Sequence, residues 1–163
     1  MSTVIYYKDF VFDKLSYGKA IKSHLGSLHK YHISGETQGI RIQFPKVKII
    51  ESDEGTVTLD FGERRDFFDK LSNATQGVTN KLGKSFWKFN SDPGRICMKI
   101  NEKTLYFTDK NCITTYNDVR SSEHARVVVI ASTEGLWISE NSYGNTWIID
   151  QMKIYPVTTV AAR

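Results

Sequence analysis

Cysteine and proline are scarce: two and three of the 163 residues. Cys97 and Cys112 form no C-x-x-C metal or redox pair, and a chain of this length does not need a disulfide to hold its core. Reduced, buried thiols in an intracellular protein are therefore expected. No apolar run reaches the ~18 residues that a membrane-spanning helix needs. The first residues lack the basic-then-apolar order of a secretory signal. No P-loop, dinucleotide fingerprint or G-x-S-x-G elbow is present. His29 and His32 are spaced like a metal pair, but no third ligand accompanies them. Glu63, Asp66 and Asp69 fall at an expected helix start, where the helix dipole accounts for them. Asp60 with Glu63 is the one weak acidic pair a nuclease could use. The chain reads as a non-enzyme with no metal and no cofactor.

What is present is an ordinary globular mixture, 40% apolar and 25% charged, with an uneven charge layout. Residues 1–50 hold eight Lys or Arg against three acids, residues 51–69 two against seven, and residues 81–110 seven against three. Basic stretches of this kind suit a polyanion, although a solvated mixed surface gives the same count.

No repeat, linker or low-complexity block interrupts residues 1–163, which read as a single domain. Val4 to Phe12 reads as a strand. Tyr17 to Leu28 is ambiguous: Ala20, Ile21, His24, Leu25 and Leu28 fit a helical stripe that Gly18 and Gly26 weaken. Ile40-Arg41-Ile42-Gln43-Phe44 alternates as a half-buried strand, broken by Pro45 and resumed at Val47. Asp53-Glu54-Gly55 is a turn, and Thr56 to Phe61 is a strand. Phe67, Phe68, Leu71, Ala74, Val78 and Leu82 predict a helix over about 63–82, closed by Gly83. Ser85–Phe89, Arg95–Ile100, Thr104–Phe107 and Arg126–Ser132 read as strands. Gly135 to Ile138 and Trp147 to Pro156 read as a closing hairpin around Tyr143. In its outgoing strand, Trp147, Ile149 and Gln151 share one face and Ile148, Asp150 and Met152 the other. So many short strands with one internal helix predict a mainly β barrel rather than a doubly wound sheet.

The chemistry lies in interleaved rings and cations. Lys84-Ser85-Phe86-Trp87-Lys88-Phe89 sets three aromatics among lysines; Arg95 and Lys99 follow, then Tyr106-Phe107. Arg41, Gln43 and Lys46 or Lys48 would line a groove while Ile40, Ile42 and Phe44 pack inside. Bases stack on aromatic faces and cations neutralise phosphates, neither of which requires a fixed sequence. Strand aromatics are also the usual material of cores. Trp137 and Trp147 are expected there, and Tyr143, in the turn, is expected to be exposed. The candidate nucleic-acid contacts are Arg41, Lys46, Lys48, Lys84, Phe86, Trp87, Lys88, Arg95, Lys99, Tyr106, Phe107 and Tyr143.

Ile40-Arg41-Ile42-Gln43-Phe44-Pro45-Lys46 resembles the early strand of the single-stranded DNA-binding proteins of nucleocytoplasmic large DNA viruses, a group similar to those of podovirus-type phages. Ser85-Phe86-Trp87-Lys88 is similar to an element that follows a helix in that family. Gly135-Leu136-Trp137 through Tyr143-Gly144, Trp147 and Gln151-Met152-Lys153-Ile154 is similar to its closing hairpin. The resemblance covers roughly residues 30–155. It implies an OB-like Greek-key β-barrel with an inserted helix. It also implies single-stranded DNA binding in replication, recombination or repair, at sites of viral or phage DNA replication in the host cell. The implied partners are single-stranded DNA, with RNA open, replication proteins and further copies of the chain, and no membrane. The wider group usually carries an acidic tail; Thr158-Thr159-Val160-Ala161-Ala162-Arg163 holds no acid. The alternative is a viral structural or protein-interaction module on the same barrel.

Overall fold

The computed structural model describes residues 4–10, 15–23, 26–33, 39–81, 88–89, 94–117, 125–138 and 142–155. Its strands are β1 (Ile5–Tyr6), β2 (Leu15–Ser23), β3 (Gly26–Ile33), β4 (Ile40–Gln43), β5 (Val47–Asp53), β6 (Thr56–Asp60), β7 (Lys88–Phe89), β8 (Arg95–Lys99), β9 (Leu105–Thr108), β10 (Ile113–Thr114), β11 (Arg126–Thr133), β12 (Gly135–Ile138), β13 (Ser142–Asn145) and β14 (Ile148–Tyr155). Helix α1 (Arg65–Lys81) falls between β6 and the third barrel strand, β8, close to the predicted span.

Five strands form a ring. β5 pairs with β6 and β6 with β8, both antiparallel; β8 runs parallel to β14; β14 and β5 both pair antiparallel with β11. In chain order the ring reads first, second, third, fifth, fourth, the Greek-key closure of an OB-like barrel. Closure leaves these five strands no free edge. β4 and β5 act as one long strand across Pro45: Phe44 N donates to Val129 O and Ile49 N to Ala125 O, both at 2.9 Å, so β11 pairs along both pieces. Glu54 and Gly55 close the β5–β6 hairpin, and Gly55 has the positive φ, 78°, that such a tight turn demands.

Alternation places the core. Ile40, Ile42, Phe44, Val47 and Ile49 point inward, and Arg41, Gln43, Lys46 and Lys48 outward. Phe44 meets Trp147, Phe67 and Phe61 with ring centroids 5.0, 5.6 and 6.0 Å apart, all near edge-to-face. Each such pair adds about 0.5–1.5 kcal/mol to its burial. Phe67, Phe68 and Leu71 are the stripe by which α1 joins this cluster.

A second sheet runs in the order β2-β3-β12-β13-β7. Thr75 of α1 bonds the Leu71 carbonyl and donates to Asn145 Oδ1 at 3.3 Å. Asn145 Nδ2 donates to the Tyr31 hydroxyl at 2.6 Å and to the Gly135 carbonyl at 3.1 Å. Helix and second sheet are thereby joined through one half-buried amide.

Several expectations are corrected. The Tyr17–Leu28 stripe is no helix: β2 and β3 form an antiparallel hairpin, irregular between Tyr17 and Ala20. Its apolar residues do not alternate because β2 is the outer strand of the sheet, where Ile21 is 53% exposed. The N-terminal strand shrinks to β1, followed by a 3-10 turn over Tyr7–Asp9. The closing hairpin is divided between sheets: β12 pairs with β3 and β13, while β14 pairs with β11. Cys97 and Cys112 are free but exposed, because both lie on outward or turn positions. Of Ser85–Phe89, only Lys88 and Phe89 lie within the described residues.

Candidate nucleic-acid interface

The outward faces of β4, β11, β14 and β9 form a wall whose residues line up across the strands. Arg41, Ser132 and Ile148 make one rung; Gln43, Ile130, Gln151 and Leu105 the next; Val128, Lys153, Phe107 and Ile113 a third; Lys48, Arg126 and Tyr155 the last. One extra residue interrupts the wall. The β11–β14 register shifts between Ile130 and Ala131, so that Ala131 faces Ile149 and Ile130 faces Gln151, with Asp150 bulged between. The bulge reverses the alternation. Beyond it Met152 and Ile154 point inward, and Gln151, Lys153 and Tyr155 join the outer face. The sequence reading, without the bulge, had put Gln151 with Trp147 and Ile149.

Gln43, Val128, Ile130, Phe107, Lys153 and Tyr155 are among the residues lining a furrow of about 370 Å³ in this wall. The Lys46 ammonium stands 3.7 Å from the Tyr155 ring centroid and that of Lys153 5.4 Å from it. Cation–π contacts of this kind are worth about 0.5–1 kcal/mol at exposed sites. Phe107 is half-buried. Rings for stacking and ammonium groups for phosphates thus share one depression. A second hollow, about 490 Å³, lies beyond the Arg41 rung, where Ser132, Ile148, Leu28 and the half-buried Trp137 line it.

This fold is similar to that of a phage single-stranded DNA-binding protein. The solved structure of the single-stranded DNA-binding protein from bacteriophage Enc34 matches with 11% identity over 92% of this chain and 96% of that one, at a TM-score of 0.45. A C-terminal truncation of that protein matches with 8% identity over 91% and 99% of the two chains, at 0.48. No protein-family model and no curated protein matches the chain.

The candidate residues have different environments. Lys46, Lys48 and Phe107 lie on the wall. Arg41 lies there too, but its Nε donates to Asp150 Oδ2 at 2.8 Å, and Ser132 donates to the same oxygen at 3.2 Å. Arg95 and Lys99 are exposed at opposite ends of β8, on the adjoining β6–β8 face; Arg95 stands across from Asp60, and Lys99 across from Thr56. That is the face OB barrels commonly turn toward oligonucleotides, but here no aromatic stands on its strands. Tyr106 and Tyr143, only 8% and 3% exposed, have no open ring face for a base. Burial raises both hydroxyls above the ordinary tyrosine pKa. Tyr143 is not a turn residue: it pairs with Ile138 in β13 and with the backbone of β7. The backbone of Lys88 pairs with Ser142 at the edge of the second sheet. Lys84, Phe86, Trp87 and the Lys88 side chain lie outside the described residues.

Tyr155, Lys153 and Gln151 line the furrow and are not among the residues the sequence singles out. Their signal was the alternation Gln151-Met152-Lys153-Ile154-Tyr155, cations and a ring on one side and apolar residues on the other. Arg126 also faces outward, bidentate with Glu63, Nη2 to Oε1 at 2.7 Å. That hydrogen bonding holds the Glu63 carboxyl below its usual pKa.

Proposed function

We propose that the chain is a non-enzymatic single-stranded DNA-binding protein whose strand lies along the β4–β11–β14–β9 wall. One observation carries the reading: Phe107, Tyr155 and Lys153 line one furrow, and Lys46 stands over the Tyr155 ring. A base stacks on Phe107 while Lys46, Lys153 and the neighbouring Lys48 neutralise phosphates. Stacking contributes ~1–3 kcal/mol per base, so a few such contacts give useful affinity. Arg95 and Lys99 extend the path over the adjoining face, and Lys84, Phe86, Trp87 and Lys88 belong to the proposal on the sequence pattern alone. The resemblance of the early strand and closing segment to viral and phage single-stranded DNA-binding proteins supports a role in replication, recombination or repair. RNA is a competing ligand of the same chemistry.

Fluorescence anisotropy with labelled oligo-dT tests this. Micromolar or tighter binding at low salt, weakened by added salt and stronger than to duplex, is expected. No binding, or equal preference for duplex, would sink the reading. A second reading, self-assembly through the sheet edge, is favoured by β10, which among the described residues pairs only with β9 and carries Ile113 at 78% exposure near Leu105 at 48%. A light-scattering mass well above a dimer that DNA does not change would support it.

A further inference from the structure

Two amides at the furrow have no hydrogen-bond partner among the described residues. Gln43 and Gln151 lie on either side of Ile130 in the same rung. Both are half-buried and both line the furrow. Among the described residues no hydrogen bond reaches either side chain, although Arg41, two residues before Gln43, and Asp150, one before Gln151, are paired. An amide can donate to a phosphate oxygen through its NH2, but its carbonyl then has no partner there. An amide offers a donor and an acceptor side by side, which is the geometry of base-edge recognition. The furrow's volume of about 370 Å³ is near the low end for ligand clefts, suited to a small planar group.

We propose that the furrow reads one nucleobase, and that the base is adenine. Resting on the proposed function, this makes one position of the bound strand selective. Adenine carries its N6 amine between two ring acceptors, N1 and N7, so it presents a donor–acceptor pair on each side of the amine. Gln43 and Gln151, one on each side of Ile130, match those two edges, with the base plane against Phe107. Cytosine presents one such pair, and thymine has a methyl group where the second would be. Guanine offers two acceptors on its N7 edge.

The test compares labelled oligo-dT with the same strand carrying one central dA, and with one carrying 7-deaza-dA, which lacks the N7 acceptor. A single substitution avoids the self-stacking of poly-dA. The dA strand is expected to bind at least about fivefold tighter than oligo-dT, and 7-deaza-dA to lose most of that gain. Gln43→Leu and Gln151→Leu should each bring the dA strand to the same affinity as oligo-dT and leave the salt slope unchanged, with an unaltered far-UV circular dichroism spectrum. Equal binding of dA and dT strands, or a preference that survives both substitutions, overturns the adenine site and leaves single-stranded DNA binding standing. Binding of none of the strands overturns both.

Discussion

A cation gripped by a carboxylate and a cation resting on a ring respond differently to an approaching phosphate. Arg41 would have to leave Asp150 before meeting DNA, whereas Lys46 gives up only a ring contact. Arg41→Ala is therefore expected to change oligo-dT affinity less than about twofold, while Phe107→Ala weakens it roughly tenfold or more, as read by anisotropy at fixed salt. Tyr31 tests the interior. Burial pushes its hydroxyl up to about 12, partly offset by the hydrogen bond from Asn145. A raised tyrosine pKa means that the folded state resists losing the proton. The associated stability is fully present below pH ~10 and is lost as pH rises through about 12. Tyr31→Phe should cost about 0.5–1.5 kcal/mol at neutral pH through the lost hydrogen bond. It should also remove an alkaline loss on the order of 2–3 kcal/mol, so the gap in urea midpoints closes and then reverses as pH climbs from ~10 to ~12. Other tyrosines titrate in both proteins and cancel in the difference.

Between β12 and β3 the backbones approach so closely that only glycine fits. A Cβ on Gly135 would stand 2.0 Å from the His29 carbonyl oxygen, a backbone atom that cannot retreat without breaking the Leu136–His29 pairing. Gly135→Ala should cost at least about 2–3 kcal/mol, seen as a lower urea midpoint with an unchanged m-value. The sequence shows nothing of this contact, because it arises between strands that are far apart in the chain. Elements whose periodicity is local and unbroken were legible: the inward Ile40, Ile42 and Phe44, the Glu54-Gly55 turn and the stripe of α1. Elements interrupted by an irregularity were not. The Tyr17–Ala20 irregularity left β2 looking helical, and the bulge opposite Ile130 misassigned Gln151. On the wall, Lys46, Lys48 and Phe107 are legible as outward residues because they stand out from an apolar background. Tyr106 was misjudged because adjacent strand residues face opposite ways, and composition alone does not say which of the Tyr106-Phe107 pair faces out.

For the molecule as a whole, the expected reporter is salt. Lys46, Lys48 and Lys153 are the wall cations that make no close ion pair among the described residues, although Lys48 lies near enough to Glu63 to help lower its pKa. At about 0.7 per phosphate neutralised on a single strand, three give a log–log slope of affinity against salt near −2. Lys153→Met should reduce the slope by about 0.7, measured by anisotropy over a salt series, while Arg41→Ala leaves it unchanged. The placement of all these groups depends on the frame of β14. Removing the codon for Asp150, the extra residue, would leave Ile149 opposite Ala131 and Gln151 opposite Ile130 with no bulge between them. Met152 and Ile154 would stay inside, and Lys153 and Tyr155 outside. What the deletion takes away is the carboxylate that Arg41 and Ser132 share. Inheritance can thus shorten this strand at its bulge without turning it over, and relatives that lack the extra residue should present an arginine free of that ion pair.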